Sequence, residues 1–225
     1  MKKIGIVVAQ QKECEGLMKK LGKYEKIDLY GGFSVKMFRI SDKEIFFAES
    51  GVGEIRAAAA TQRLIDAFSL DVIINFGVAG GLKKNTRGNI YVIKGVCHYD
   101  FDTTPLVGAG RGKYECFDSA VLKTDEEISE LALSLYPSAE LAICASGDKF
   151  ISDETIKGGL VDEFSASVCE MEAAGVVITA TLCGVRAAVI KIISDDSAHA
   201  EEYENFLSEM TDELNDLIIG LIKKI

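Results

Sequence analysis

The stretch EIRAAAATQRLIDAFSLDVIINFGVA, residues 54–79, decides the fold class. Residues 54–68 are rich in strong helix formers such as alanine, leucine, glutamate and arginine, which predicts a helix. Residues 71–79 are almost continuously apolar, which is typical of a strand buried on both faces of a sheet. A helix followed at once by a buried strand indicates a layered α/β protein.

The same alternation of apolar runs and helical patterns continues on both sides of this stretch. Ser152 is expected to cap a helix that ends near Phe164, with Asp153 and Glu154 in its first turn. No internal repeat or linker interrupts the pattern, so residues 1–225 are expected to form one domain. The other predicted elements are a β-hairpin at 33–40 and 44–50, strands at 3–9, 89–100, 140–146, 165–171 and 185–194, and helices at 173–184 and 201–225.

Composition narrows the class of protein. The chain of 225 residues is 48% hydrophobic and has two prolines, which excludes a disordered protein, and its net charge of −10 argues against nucleic acid as a partner. The apolar run at Ile4–Ala9 is too short for a signal peptide. The longest uncharged apolar stretch, Ala173–Val185, cannot cross a bilayer of about 30 Å. We therefore expect a soluble cytoplasmic protein without a membrane partner.

Several common chemistries lack their motifs. The six cysteines form no CxxC pair and mostly lie in apolar company, which predicts buried, reduced thiols. His98 and His199 are the only histidines, so no zinc motif is present, and neither is a GxSxG elbow. Arg56 stands where a dinucleotide fingerprint needs glycine, and NFGVAGG (75–81) lacks the lysine of a phosphate-binding loop. No metal and no cofactor is implied.

The remaining candidates for a functional site are carboxylates and glycines, many of which follow predicted strands. Ligands of α/β sheets gather beyond the carboxyl ends of strands, so these groups are expected to share one rim. From the residues alone, Glu13 is also an ordinary first-turn glutamate, Asp195 is also a helix cap, and Phe150 is also a core residue. The groups at strand ends are Glu13, Gly77, Gly80, Gly81, Ser146, Gly147, Asp148, Glu170, Glu172, Ser194, Asp195 and Asp196, of which Asp148 and Asp196 are interpreted as solvated or capping residues.

Six blocks of the sequence, from Lys3 almost to the last helix, resemble those of 5'-methylthioadenosine/S-adenosylhomocysteine nucleosidases, which belong to the purine nucleoside phosphorylase superfamily. The resemblance implies a three-layer α/β sandwich with a central mixed β-sheet, acting as a homodimer without a cofactor. The implied reaction is hydrolysis of the adenine N-glycosidic bond of 5'-methylthioadenosine, S-adenosylhomocysteine or a related 5'-substituted adenosine, with a place in methionine salvage. The blocks are KIGIVVAQQKE, ESGVGEIRAAAAT, DVIINFGVAGGL, ASGDKFI, CEMEAAGV and IISDDS.

The resemblance also implies roles for the carboxylates. Asp195, at the matching ISD position, would protonate adenine N7, because adenine is a poor leaving group as an anion. Glu13 would orient and deprotonate the attacking water. Glu172 would bind the ribose hydroxyls together with the Met171 backbone and would favour the positive charge that builds up on the sugar. Ser194 would support Asp195, whereas the role of Glu170 is left open.

The rest of the implied pocket is less polar. Phe150 would stack on the purine while the Ile151 backbone reads its edge, and the turn at Gly80 would bring backbone close to the ligand. The aromatic residues of 97–115 align only loosely with the family and are expected to reach the partner subunit's site.

Three departures from the family pattern surround the 5' group of the substrate. Val78 stands where the family often has Ser or Thr, Gln10 where it commonly has an apolar residue, and Tyr203 where it often has Phe. These changes predict a 5' specificity that is more polar than usual.

Two alternatives to the hydrolase stay open. A phosphorylase of the same superfamily would have to hold a phosphate dianion, normally with arginine. The place after the first strand offers Lys12 beside Glu13, although Arg56 or Arg87 would serve if either approached. The second alternative is a non-catalytic nucleoside-binding protein, which has no need of the complete Glu13, Glu172 and Asp195 set.

Overall fold

The structure is a computed structural model that describes residues 1–84, 86–108, 110–195 and 211–225. Short 3-10 turns at Gln11–Cys14 and Tyr30–Gly32 connect some of its elements. Its strands are β1 Lys2–Val8, β2 Glu25–Asp28, β3 Ser34–Ile40, β4 Lys43–Glu49, β5 Val72–Gly81, β6 Ile90–His98, β7 Val121–Lys123, β8 Glu140–Ser146, β9 Val168–Glu170 and β10 Arg186–Asp195. Its helices are α1 Glu15–Leu21, α2 Glu54–Phe68, α3 Thr104–Val107, α4 Glu126–Leu135, α5 Glu154–Phe164, α6 Ala173–Leu182 and α7 Thr211–Lys224.

The strands form one mixed sheet in the order β10-β6-β8-β9-β5-β1-β4-β3-β2, with β7 added to β6. Parallel pairs join β1 to β5, β5 to β10 and β6 to β8, whereas β10–β6 and β5–β9 are antiparallel. Because β5 pairs with both β10 and β9, part of the sheet closes on itself. The ends of β1, β5 and β10 therefore point to the same rim, next to β9.

Helices cover the sheet on both faces. Successive side chains of β1 point to opposite faces of the sheet, so they contribute to two different cores. Ile4, Ile6 and Val8 face a core shared with α1, α4 and α7, whereas Val7 faces a second core shared with α2 and α6. The central strand β5 is buried along nearly its whole length, which explains its continuous apolar run. The predicted fold class, an α/β protein with a central mixed sheet between helices, is confirmed.

The predicted elements agree with the structure within a few residues at their ends, and α2 and β8 match exactly the predicted ranges of 54–68 and 140–146. One prediction was wrong: the cap of α5 is Asp153 and not Ser152. The Asp153 Oδ1 accepts the Thr155 and Ile156 amides at 2.8 and 3.0 Å, because the helix begins one residue later than expected. Residues 201–210 of the predicted last helix lie outside the described residues. None of the described helices is long and apolar enough to cross a membrane.

Candidate active site

A cavity of about 300 Å³ opens at the rim where β1, β5, β9 and β10 end. Most of the predicted site residues are in its wall, so the expectation that the strand ends share one site is met by the geometry. The lining residues are Ala9, Gln10, Glu13, Val52, Val78, Ala79, Gly80, Lys149, Phe150, Ile151, Cys169, Glu170, Met171, Glu172 and Ser194.

Glu13 reaches the cavity from the turn that follows β1. Its carboxylate accepts the Gln10 amide at 3.3 Å and is hydrogen-bonded by the Val78 backbone, and the residue is only 4% exposed. Gly77, at a φ of 153°, makes room, because a Cβ there would lie 3.0 Å from Glu13 Oε2. Burial raises the pKa of Glu13, and the positive charge of Lys191 offsets part of that rise. The carboxylate is therefore a stronger base than an exposed glutamate.

Glu172 stands at the start of α6, on the same cavity. Its Oε1 accepts the Gly53 amide at 3.0 Å, which joins it to the start of α2. Burial, followed by the negative charge of Glu170, raises the pKa of Glu172 to about 7. Met171, the residue before it, is half-buried and also lines the cavity.

The role of Glu170, which the sequence left open, is defined by an ion pair. Its Oε2 lies 2.8 Å from Lys191 Nζ, and its carboxylate also accepts the Glu172 and Ala173 amides. Burial acts to raise the pKa of Glu170, but Lys191 and these hydrogen bonds lower it below its usual value. Sequence reasoning missed Lys191, although a single lysine inside the apolar run VRAAVIKIIS (185–194) was a signal for a buried counter-charge.

Asp195 ends β10 at the rim of the cavity. Its backbone pairs with Gly80 across an irregularity in the β5–β10 ladder, and Ser194 donates to the Ala79 carbonyl at 3.3 Å. Its main chain is therefore next to the cavity, as predicted. The side chain of Asp195 and the whole of Asp196 and Tyr203 lie outside the described residues.

The loop after β8 contributes the apolar end of the cavity. Phe150 is 59% exposed and Ile151 is buried, and both line the cavity. Phe150 is thus a wall residue rather than core. Asp148 of the same loop accepts the Glu54 amide at 2.7 Å, so its interpretation as a capping residue is confirmed, with the cap supplied to α2 from another segment.

Two further polar residues lie behind the cavity: Ser146, which the sequence placed among the groups at strand ends, and Glu54, which sequence reasoning missed. Ser146, fully buried at the end of β8, contacts the carboxylates of both Glu54 and Glu170. Burial, followed by the charge of Glu170, raises the pKa of Glu54 to about 8. From the sequence, Glu54 is an ordinary glutamate in a first helical turn, and nothing near it in the chain indicates that it is buried.

Positive charge is scarce at the cavity wall. Among the described lining residues, Lys149 alone is a cation, and its Nζ is 2.8 Å from Asp100 Oδ1. Arg56 donates to the Ser50 carbonyl at 3.0 Å and lines a neighbouring groove, and Arg87 is not in the cavity wall. No group of three or more described His, Cys, Asp or Glu residues is arranged to hold a metal ion. The wall suits a ligand on which positive charge develops.

The aromatic residues of segment 97–115 lie outside this wall. His98 Nδ1 is 2.7 Å from the Tyr114 hydroxyl, and the Phe101 and Tyr114 rings stack at 4.0 Å. Burial lowers the pKa of His98. That these side chains reach a partner subunit stays a prediction.

A carboxylate-lined cavity at the strand ends of a mixed α/β sheet is in the usual position of a small-molecule site in such folds. The chain belongs to the Phosphorylase superfamily, because the model of that family matches residues 3–223. Within the superfamily it is similar to the 5'-methylthioadenosine/S-adenosylhomocysteine nucleosidases, as the resemblance of the sequence blocks indicated, and to aminodeoxyfutalosine nucleosidases.

Three comparisons illustrate this placement. The 5'-methylthioadenosine/S-adenosylhomocysteine nucleosidase of Bacillus licheniformis is 28% identical over 236 residues, covering 99% of each chain. The aminodeoxyfutalosine nucleosidase of Helicobacter pylori is 30% identical and covers 95% of this chain and 100% of its own. A solved structure of the Helicobacter pylori 5'-methylthioadenosine/S-adenosylhomocysteine nucleosidase with butyl-thio-DADMe-Immucillin-A superposes with a TM-score of 0.93 at 27% identity, covering 100% of this chain and 99% of that one.

Proposed function

We propose that this protein hydrolyses the adenine N-glycosidic bond of a 5'-substituted adenosine, such as 5'-methylthioadenosine or S-adenosylhomocysteine. The observation that carries the proposal is the convergence of Glu13, Glu172 and the Asp195 end of β10 on one cavity. The family supports it, since its named relatives are nucleosidases that act on adenosine derivatives. The products are adenine and the 5'-substituted ribose.

The carboxylates divide the chemistry. Asp195 donates a proton to adenine N7, so that the C1'–N9 electron pair leaves on a neutral base rather than on an anion. Glu172 binds the ribose hydroxyls and stabilises the positive charge on the sugar as that bond breaks. Glu13 takes a proton from the water whose oxygen bonds to C1'. Ser194, buried beside Asp195, supports the acid.

The remaining wall residues bind the substrate. Phe150 stacks on the purine, the Ile151 backbone reads the purine edge, and the backbone of Met171 assists at the ribose. Gly80 and Val78 form the wall beneath the ligand.

Water is the nucleophile that this cavity favours over phosphate. Glu13, Glu170 and Glu172 all line the wall, and each carboxylate repels a phosphate dianion. Lys191, which would attract phosphate, is buried in its ion pair with Glu170. A general base beside the sugar can deprotonate water, whereas a phosphate dianion is already ionised and needs no base.

The 5' substituent is proposed to be more polar than a methylthio group, because Gln10 is part of the cavity wall and Tyr203 stands where the family often has Phe. Comparing kcat/KM for 5'-methylthioadenosine, 5'-deoxyadenosine and S-adenosylhomocysteine tests this. A strong preference for the methylthio compound contradicts it.

The protein is further proposed to act as a cytoplasmic homodimer in methionine salvage. Exposed apolar side chains support association: Ile55 is 80% exposed, Leu106 85% and Phe150, in the cavity wall, 59%. Light scattering of the purified chain measures the assembly, and a monomer at micromolar concentration contradicts the dimer.

The decisive experiment is product analysis with 5'-methylthioadenosine, with and without phosphate. Hydrolysis releases adenine and a reducing sugar at equal rates in both reactions. A rate that requires phosphate and yields a ribose 1-phosphate identifies a phosphorylase instead, and gives Glu13 a different role.

Replacement of Asp195 by Asn separates an enzyme from a binding protein. The Asn variant is expected to lose about 10²–10⁴-fold in turnover, the usual contribution of a general acid, while still binding the nucleoside. Asp162→Asn, an exposed change on α5, is the control. Absence of turnover in the unchanged protein with all adenosine derivatives, together with measurable binding, indicates the non-catalytic alternative.

A further inference from the structure

Helix α2 begins against the candidate active site, and other segments bind its first amides. The Gly53 N–H donates to Glu172 Oε1 at 3.0 Å, and the Glu54 N–H donates to Asp148 Oδ1 at 2.7 Å. The Glu54 side chain turns inward and is only 4% exposed. The start of α2 is therefore part of the structure that holds Glu172.

The hydrogen bonds at Ser146 determine where one proton lies. Its Oγ accepts the Ala174 amide at 3.0 Å and contacts both the Glu54 and the Glu170 carboxylates. A hydroxyl has one hydrogen, so it can donate to only one of them. The other contact is a hydrogen bond only if that carboxyl group carries a proton and donates it to Ser146.

The contacts favour Glu54 over Glu170 as the carboxyl group that carries this proton. Glu170 is the ion-pair partner of Lys191 and also accepts two backbone amides, so its ionised form is stabilised. Burial and the charge of Glu170 raise the pKa of Glu54 to about 8. Five titratable groups face Glu54 from the packed segments. The acids Glu170, Glu172 and Asp148 oppose a further negative charge. The phenols Tyr99 and Tyr114 do not offset it.

The second oxygen of Glu54 fastens α2 to α6. Glu54 Oε2 accepts the Gly175 amide in the first turn of α6. The two helices approach so closely that a Cβ on Gly175 would lie 2.4 Å from the Glu54 carbonyl oxygen. One side chain thus connects the starts of α2 and α6 with the end of β8.

We propose that Glu54 is a positioning residue, held as a neutral carboxylic acid, which fastens the start of α2 so that the Gly53 N–H stays hydrogen-bonded to Glu172. The proposal rests on the proposed function in taking Glu172 as the ribose ligand. The neutral acid supplies one donor, to Ser146, and one acceptor, for Gly175. An ionised Glu54 would leave two buried carboxylates in contact with one hydroxyl hydrogen.

The test compares Glu54→Gln with Glu54→Ala. The glutamine amide reproduces the donor and the acceptor of the neutral acid, whereas alanine removes both. Glu54→Ala is expected to lower kcat/KM by about tenfold or more, mainly through KM, and Glu54→Gln to restore most of it. Glu126→Gln and Glu126→Ala, at the exposed first residue of α4, are matched controls that leave kcat/KM unchanged.

Two measurements report the proton without turnover. The infrared carbonyl band of a protonated carboxyl group should lose one component in Glu54→Gln at pH 7 and none in Glu126→Gln. The ratio of the unfolding constants of wild type and Glu54→Gln should rise by about tenfold per pH unit between pH 5.5 and 7.5, because only wild type takes up this proton on folding.

Amide exchange at Gly53 reports the fastening itself, again without turnover. Exchange should be about tenfold faster in Glu54→Ala and unchanged in Glu54→Gln. The proposal is overturned if the infrared band and the unfolding ratio do not respond to Glu54→Gln. It is also overturned if Glu54→Gln lowers kcat/KM as much as Glu54→Ala, or if the exchange rate of the Gly53 amide is the same in wild type and both variants. If the wild-type protein cleaves no nucleoside, the proposed function fails, while these three measurements still decide the state and the role of Glu54.

Discussion

Lys191 Nζ lies 2.8 Å from Glu170 Oε2, and the two side chains are only 2% and 3% exposed. Burial by itself disfavours the charge on each of them. Glu170 and Glu172 nevertheless raise the pKa of Lys191, and Lys191 lowers that of Glu170. The pair also places a fixed positive charge close to Glu13 and Glu172, so it moderates the repulsion among the carboxylates of the site.

The first prediction concerns this ion pair. Lys191→Met should lower the free energy of unfolding by about 3–5 kcal/mol, because it leaves Glu170 buried without a counter-charge. Glu170→Gln in the same chain should recover most of that loss. Urea denaturation of both single variants and the double variant measures the coupling. A double variant as unstable as Lys191→Met would show that packing, and not charge, makes Lys191 necessary.

The second prediction concerns Glu13 as the base. Glu13→Gln should reduce kcat by about 10²–10⁴-fold, because an amide cannot take a proton from water. Stability should not fall, since the change removes a charge that burial disfavours. Steady-state adenine release and urea denaturation measure the two effects. Glu15→Gln, an exposed glutamate two residues later, is the control, and equal kcat losses in both variants would exclude a specific role for Glu13.

The third prediction is a pH dependence set by Glu172, whose pKa is raised to about 7. The proposed function has the ionised form of Glu172 bind ribose, so kcat/KM should fall below about pH 7, and protonation of Glu13 contributes to the same limb. Stability changes in the opposite direction. The folded state holds this proton more tightly than the unfolded state does, so the associated stability is fully present below about pH 4.5 and is lost as pH rises to about 7.

Glu172→Gln isolates that effect. As pH rises, the free energy of unfolding of the wild-type protein should fall by about 3 kcal/mol for a shift of this size, and that of the variant should not show this fall. Denaturation curves at pH 5 and pH 7.5 for both proteins provide the comparison. If the wild-type protein gained stability relative to the variant on going to pH 7.5, the pKa of Glu172 would be lowered rather than raised.

The fourth prediction concerns the contact between α2 and α6. Gly175→Ala should destabilise the protein by about 1–3 kcal/mol, because its Cβ would meet the Glu54 carbonyl oxygen at 2.4 Å. Gly158→Ala in α5 is the matched control, with no atom within 4 Å of its Cβ, and should stabilise by about 0.5–1 kcal/mol. Thermal unfolding measures both, and a stabilising Gly175→Ala would mean that the two helices separate easily.

Much of the site could be predicted because its residues are local to strand ends. Glu13, Glu172 and Ser194 follow or end apolar strands, and the structure brings them to one cavity. The cap of α5 was misplaced by one residue because Ser152 and Asp153 are both good capping residues, and only the backbone conformation distinguishes them. Glu54 escaped prediction because its neighbours in the chain are those of an exposed helix start.

By itself the sequence determined the α/β class and the positions of most strands and of helices α2, α5 and α6, since the periodicity of apolar residues and the local helix propensities are properties of short segments. It also determined which residue types end each strand. Only the tertiary structure decided which carboxyl groups share one buried volume. Glu172 meets Gly53 across 119 positions of the chain and Glu54 meets Ser146 across 92. Protonation depends on burial and on distances between charges, and folding alone creates both.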